Sequence, residues 1–227
     1  MEAKSGYLIG SLIIGIPYLI IFGLRRDLRK EMLFGSFTLL PWAFTAPLFI
    51  PEYWNPPYMF GYILPFRFGI EDLLFIFFVG GISAVIFEFI ENKREIKLKK
   101  SKSAKIIYII PYLLTILLFA GLEYIFPDKA IYNLIAAGLI SGAYMIYTRR
   151  DLLVQSLSSG LFFALLYFLL FSFFNLLYPN YVTEIYNSKN LLGITVLQVP
   201  IEEILFAFAT GAGWSVFYEF FLKYRTT

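Results

Sequence analysis

From Ser5 to Leu24 the chain runs for about twenty residues without a charged side chain, the length that crosses a bilayer as a helix. Runs of this kind recur along all 227 residues. In hydrocarbon every backbone N–H and C=O must be satisfied within the structure, so only helices and closed barrels can span it. Repeated uncharged runs of this length read as helices. Composition agrees: 59% of residues are hydrophobic and 15% charged, against about 45–50% and about 25% in soluble domains. The fold class expected is all-α, a polytopic membrane protein.

Seven transmembrane helices are expected. They cover 5–24, 32–50, a segment starting between Gly61 and Glu71 and ending near Ile90, then 106–126, 130–148, 152–178 and 192–222, with Pro200 inside the last or at its regular start. The aromatic, proline-rich loop from Pro51 to Tyr58 suits a belt at headgroup level. Basic residues favour the cytoplasmic side. With Arg25, Arg26, Arg29 and Lys30 inside, fifteen of the nineteen Lys and Arg fall on inner segments, leaving only Lys4, Arg67, Lys129 and Lys189 outside. A cell-membrane protein with its N-terminus outside and its C-terminus cytoplasmic is therefore expected. The net charge of +3 is small and confined to loops, which argues against a nucleic-acid partner.

One short stretch occurs twice. Phe68-Gly69-Ile70-Glu71-Asp72-Leu73-Leu74-Phe75 and Val199-Pro200-Ile201-Glu202-Glu203-Ile204-Leu205-Phe206 each set adjacent acids before an apolar run. Glu71 and Glu202 lie 131 positions apart, and the same offset relates Gly80 to Gly211 and Glu88 to Glu219. Upstream, Arg25-Arg26-Asp27-Leu28 returns as Arg149-Arg150-Asp151-Leu152 at an offset of 124. The chain thus reads as a duplicated unit: residues 1–92, a basic linker and connector helix over 93–129, and residues 130–227. A single helix between two three-helix repeats makes those repeats parallel, related by an axis along the membrane normal.

Acids in an apolar helix are costly and point to function. Glu71, Asp72, Glu202 and Glu203 form an outer tier, and Glu88 and Glu219 a possible second, inner tier. Seventeen residues separate Glu71 from Glu88, roughly 25 Å at 1.5 Å per residue, so the tiers cannot serve one reacting atom. Like charges in one dry site do not both ionise easily, which leaves a carboxylic acid donor beside a carboxylate acceptor. The competing reading has these acids capping helices or pairing with Arg67, Lys189, Lys93 and Lys223. Asp27 and Asp151 could likewise pair with arginines across the repeat. The chain lacks Cys and His, which removes disulfides, the usual zinc sites and His-ligated iron. No P-loop or GxGxxG motif and no DDxxD run is present, so no cofactor and no metal are expected. Gly80-Gly81 and Gly211-Ala212-Gly213 read as close helix contacts. The 26 Phe and 17 Tyr could line a cavity suited to a polyene, their ring faces stabilising a cation.

These residues give the chain a resemblance to the membrane-integral lycopene cyclases, found as heterodimers in some actinobacteria and fused in archaea and fungi. That family has two homologous three-helix domains, each with a Pro-x-Glu-Glu/Asp motif. Pro200-Ile201-Glu202-Glu203 matches it fully, and Ile70-Glu71-Asp72 matches it with Gly69 in place of the proline. The resemblance implies a redox-neutral enzyme, an intramolecular lyase or isomerase of carotenoid biosynthesis. Protonation and ring closure at the ψ ends would turn lycopene into β-carotene through γ-carotene, with no cofactor. It places Glu71 and Glu202 as the principal proton-transfer pair, with Asp72 and Glu203 in support, donor and acceptor unassigned. A C50 or ε-ring cyclase or hydratase, and a small-solute transporter, stay open as alternatives, as does the oligomeric state.

Overall fold

The computed structural model describes residues 3–63, 65, 67–93, 95–97, 109–222 and 224–226. The fold is all-α. Its helices are α1 (Gly6–Leu24), α2 (Arg29–Leu39), α3 (Ile70–Ile90), α4 (Ile110–Ile125), α5 (Ala130–Thr148), α6 (Leu153–Leu177), α7 (Tyr181–Ile185) and α8 (Ile201–Leu222). Among the described residues, five helical segments of the seven expected are long and apolar enough to cross a membrane: α1, α3, α5, Arg150–Leu177 and α8. Two expected spans fall short for different reasons. The second, expected over 32–50, is α-helical only to Leu39 and continues as 3₁₀ helix over Leu40–Leu48. Pro41 and Pro47 supply no N–H to the ladder there. The fourth is 16 residues long as α4; its expected start at 106–108, like most of the basic linker, lies outside the described residues.

The last expected span also starts late. Residues 192–200 do not form helix. Thr195–Val196 pairs antiparallel with Val199–Pro200, and the turn between them holds Leu197 and Gln198 at φ 48° and 62°. Pro200 disfavours helical geometry in the residue before it, so α8 begins just after it.

Contacts fix the helix directions. At the start of α1, Tyr7 reaches Asp72 at the start of α3, and Arg25, after α1, donates to the Glu88 carbonyl near the end of α3. These two helices run the same way. In the second copy Tyr132 in α5 reaches Glu202, and Arg149 donates to the Glu219 carbonyl, so α5 and α8 also run together. Helices α3 and α8 lie side by side: Phe75 stacks on Phe206, with ring centroids 6.5 Å apart. Asp27 and Asp151 pair with Arg25 and Arg149 of their own clusters.

Glycines permit the tightest crossings. A Cβ on Gly80 would sit 2.6 Å from the Gly35 carbonyl oxygen, and one on Gly211 would sit 2.7 Å from the Ser159 carbonyl oxygen. Residues 35 and 159 differ by the same 124 positions that relate the arginine clusters. The close-packing role expected of Gly80 and Gly211 holds. Outward, α6 presents Leu157, Leu161, Leu165 and Leu169 at four-residue spacing, all exposed. An unbroken apolar face of that length is what a lipid-facing helix offers.

Candidate functional site

Each acid doublet opens its helix. Glu71 and Asp72 lie in the first turn of α3, and Glu202 and Glu203 in the first turn of α8. All four are buried, none more than 6% exposed. Successive residues on a helix point about 100° apart, so the two members of each doublet face different surroundings.

The first members face the preceding loops. Glu71 accepts the Met59 amide through Oε1 at 2.8 Å. Glu202 accepts the Leu192 amide at 2.7 Å and the Tyr132 hydroxyl at 2.6 Å, both on Oε1. In both residues Oε2 is buried without a hydrogen-bond partner. Neither forms an ion pair with Arg67 or Lys189 among the described residues.

The second members face an internal chamber of about 190 Å³, lined by Asp72 and Glu203 but not by Glu71 or Glu202. Tyr7 donates to Asp72 Oδ1 at 2.7 Å, and the Gly69 amide donates to Oδ2 at 2.7 Å. Glu203 receives three phenols, each at 2.7 Å: Tyr53 and Tyr186 on Oε1, and Tyr167 on Oε2. Burial foremost, then the Glu203 charge, pushes the phenols of Tyr53 and Tyr186 well above their ordinary range, so both stay protonated donors. Burial and Asp72 do the same to Tyr58.

The chamber follows α8 from Glu203 to Phe217 and α5 from Ile131 to Met145. Fourteen residues of helix make it roughly 21 Å deep. Phe75, Phe171 and Phe206 wall its acid end, and Tyr112, Trp214 and Phe217 its far end. A long slot with two carboxylates at one end and rings along its walls can hold an extended apolar chain, deliver a proton and shield a cation.

The inner tier is a separate cluster that does not line the chamber. Glu88, Glu219 and Glu31 are buried, with carboxylate oxygens all within 4.8 Å of one another, the one group among the described residues close enough to hold a cation. The Gln155 amide bridges two of the three, donating to Glu88 Oε1 at 2.9 Å and to Glu219, and it also reaches the Ser215 carbonyl. Lys93, expected to pair here, places its Nζ 5.4 Å from the Phe87 ring, and Lys223 lies outside the described residues.

Sequence reasoning brought the acids together but missed their partners. Tyr53 lay in the loop assigned to a headgroup belt, and Tyr7, Tyr167 and Tyr186 carried no motif. The link between Glu31 and Gln155 was within reach, since they differ by the same 124 positions as the arginine clusters.

Five apolar helices of crossing length, closed around a ring-lined chamber with a carboxylate from each acid doublet, define a membrane-type helical protein with an internal polar site. Residues 128–221, which contain α5, α6, α8 and the Glu202-Glu203 doublet, match the family model for lycopene cyclase. This match lies in the second half of the chain and supports the resemblance to the lycopene cyclases. No curated protein and no solved structure matches the chain.

Proposed function

We propose that this protein is a lycopene β-cyclase in which Asp72 lends the proton and Glu203 takes one back. The observation that carries the proposal is the meeting of these two acids, one from each copy, in a single ring-walled chamber. Three phenol donors around Glu203 complement a carboxylate anion, since charge-assisted hydrogen bonds are the strong ones. Asp72 receives the Tyr7 phenol and the Gly69 amide, with the Tyr58 phenol beside it, and takes the role of acid.

The reaction needs no electrons from outside. The Asp72 carboxylic acid transfers its proton to the terminal double bond of a ψ end. The neighbouring double bond attacks the resulting cation, forming the ring C–C bond and moving the positive charge into the ring. The Glu203 carboxylate removes a ring proton, and its C–H electron pair becomes the new double bond. The product is an isomer of the substrate. Run at both ends, this converts lycopene to β-carotene through γ-carotene. The rings of Phe75 and Phe206 flank the place where the charge develops, and water exclusion keeps the cation from capture.

Glu71 and Glu202, the principal pair on sequence grounds, take a supporting role in this reading. They hold the Met59 and Leu192 amides of the loops that close the acid end. The wider organisation belongs to the same proposal: two parallel three-helix repeats over 1–92 and 130–227, joined through α4, in a cell membrane with the N-terminus outside.

Expression in a lycopene-accumulating bacterium tests the reading. Bicyclic β-ring pigment is expected from the wild type, and lycopene alone from Glu203→Gln at equal membrane abundance. Unchanged lycopene with the wild-type chain would remove the cyclase reading, and ε-ring product would move the site of proton loss.

A further inference from the structure

The chemistry proposed above occupies only the acid end of the chamber. Deeper in, the wall carries a polar group that ring closure leaves unused. Ser141 of α5 lines the chamber, is 2% exposed, and its hydroxyl has no hydrogen-bond partner among the described residues. A helical Ser or Thr can satisfy itself on a carbonyl one turn back, and others on this wall do so. Ser11 bonds the Tyr7 carbonyl, Thr45 that of Trp42 and Thr115 that of Pro111. Ser141 makes no such bond to Ala137. Two further groups on the wall lack a hydrogen bond, and neither stands as Ser141 does. The Tyr181 hydroxyl lies among the acids, and the Trp42 N–H has the Tyr112 hydroxyl beside it.

Depth says what could reach this hydroxyl. Tyr132, nine positions earlier on α5, donates to Glu202 and so marks the level of the acids. Ser141 therefore stands roughly 13 Å down the chamber at 1.5 Å per residue. There is room beside it. Gly138 and Gly213 line the same stretch, and a Cβ on either would meet nothing nearer than 3.8 Å. Below, Met145 and Phe217 pack with Leu152, Val216 and Phe220, none more than 4% exposed, and close the bottom. A pure hydrocarbon offers the Ser141 hydroxyl nothing. A chain that has its reacting double bond at the acids and an oxygen at its other end brings that oxygen to it.

We propose that the chamber also takes a shortened, oxygen-ended substrate: an acyclic polyene aldehyde with one ψ end, whose carbonyl accepts the Ser141 hydroxyl. The inference rests on the ring closure proposed above and names a second substrate class for it. A carbonyl fits better than an alcohol, because it accepts one donor and brings no O–H that needs a partner of its own. The bond changes are those of ring closure at a single end. The aldehyde is untouched, and the product is an isomer of the substrate. Ser141 is a specificity residue in this reading: it holds the chain away from the reacting atoms and sets the length that fits.

Aldehydes of graded length, cut from lycopene so that each keeps one ψ end, test this with purified protein. The wild type should close the ring best on the aldehyde whose carbonyl lies about 13 Å from the reacting double bond, with kcat/KM falling for shorter and longer chains. Ser141→Ala should lower kcat/KM for that aldehyde about fivefold relative to lycopene, through KM, as expected for one lost hydrogen bond. It should also flatten the length profile, which a merely loosened wall would not do. A variant that keeps the wild-type peak would overturn the inference. So would a wild type that cyclises lycopene but no aldehyde, and the cyclase would then stand without it. If the wild type closes no ring on any of these substrates, the cyclase reading fails and this inference falls with it.

Discussion

The two acid doublets share a pattern in sequence and differ in their second acid and in the residue just before the helix. In the first copy Gly69 precedes α3, and its amide donates to Asp72. In the second, Pro200 stands at the same place and has no amide to give. Glu203 is released from helix capping and collects three tyrosines instead. The difference shows how one recurring motif can yield two unlike carboxylates: one capping its own helix, the other held by hydroxyls from elsewhere in the chain.

Substitutions can break that comparison. The largest effect is expected at its centre. Glu203→Gln should lower ring formation about 10³-fold, and Asp72→Asn about 10²-fold, within the range for loss of a general acid or base. Pigment yield per membrane-inserted chain measures both, and an Asp72→Asn variant that cyclises normally would reduce the site to one copy. Next comes Gly69→Ala. A Cβ there would lie 2.0 Å from the Tyr58 ring, so the substitution should cost about 2 kcal/mol, read as a lowered unfolding temperature in detergent. Gly10→Ala, whose Cβ meets nothing nearer than 3.6 Å, should leave that temperature unchanged.

Smaller effects sharpen the contrast. Each of Tyr53→Phe, Tyr167→Phe and Tyr186→Phe removes one of three donors to Glu203 and should slow ring closure about tenfold, near the worth of one charge-assisted hydrogen bond. The three acting on one carboxylate should combine non-additively. The smallest change is expected from Pro200→Ala, which restores an amide where Gly69 has one. Some Glu203 population should turn back to cap α8, and activity should fall roughly two- to threefold by the weak advantage of a single cap. A gain in activity would refute the idea that the proline frees Glu203.

Much of the layout was legible in residues. The 131-position offset paired Gly80 with Gly211, and both stand at close crossings because only a missing side chain lets backbones meet there. The apolar runs gave α1, α3, α5 and α6 nearly to their ends, and α8 at its C-terminal end only. The span at 32–50 was less legible, because hydropathy counts apolar residues and does not register Pro41 and Pro47 breaking the ladder. In the site, the four outer acids were visible as a costly repeat. Which member of each doublet meets the chamber was not, since adjacent positions are equivalent in composition and opposite in direction.

The sequence alone determined that this chain is helical and apolar, and that an acid pair before an apolar run occurs twice in it. Those properties follow from hydrogen-bond satisfaction in an apolar medium and from local chain geometry. Only the tertiary structure decided that Asp72 and Glu203 turn to one chamber while Glu71 and Glu202 turn to loop amides. It alone brought Tyr53, Tyr167 and Tyr186 to one carboxylate, from positions as far as 150 residues away. Such convergence depends on how helices rotate and cross when they pack, and no local pattern of residues encodes that.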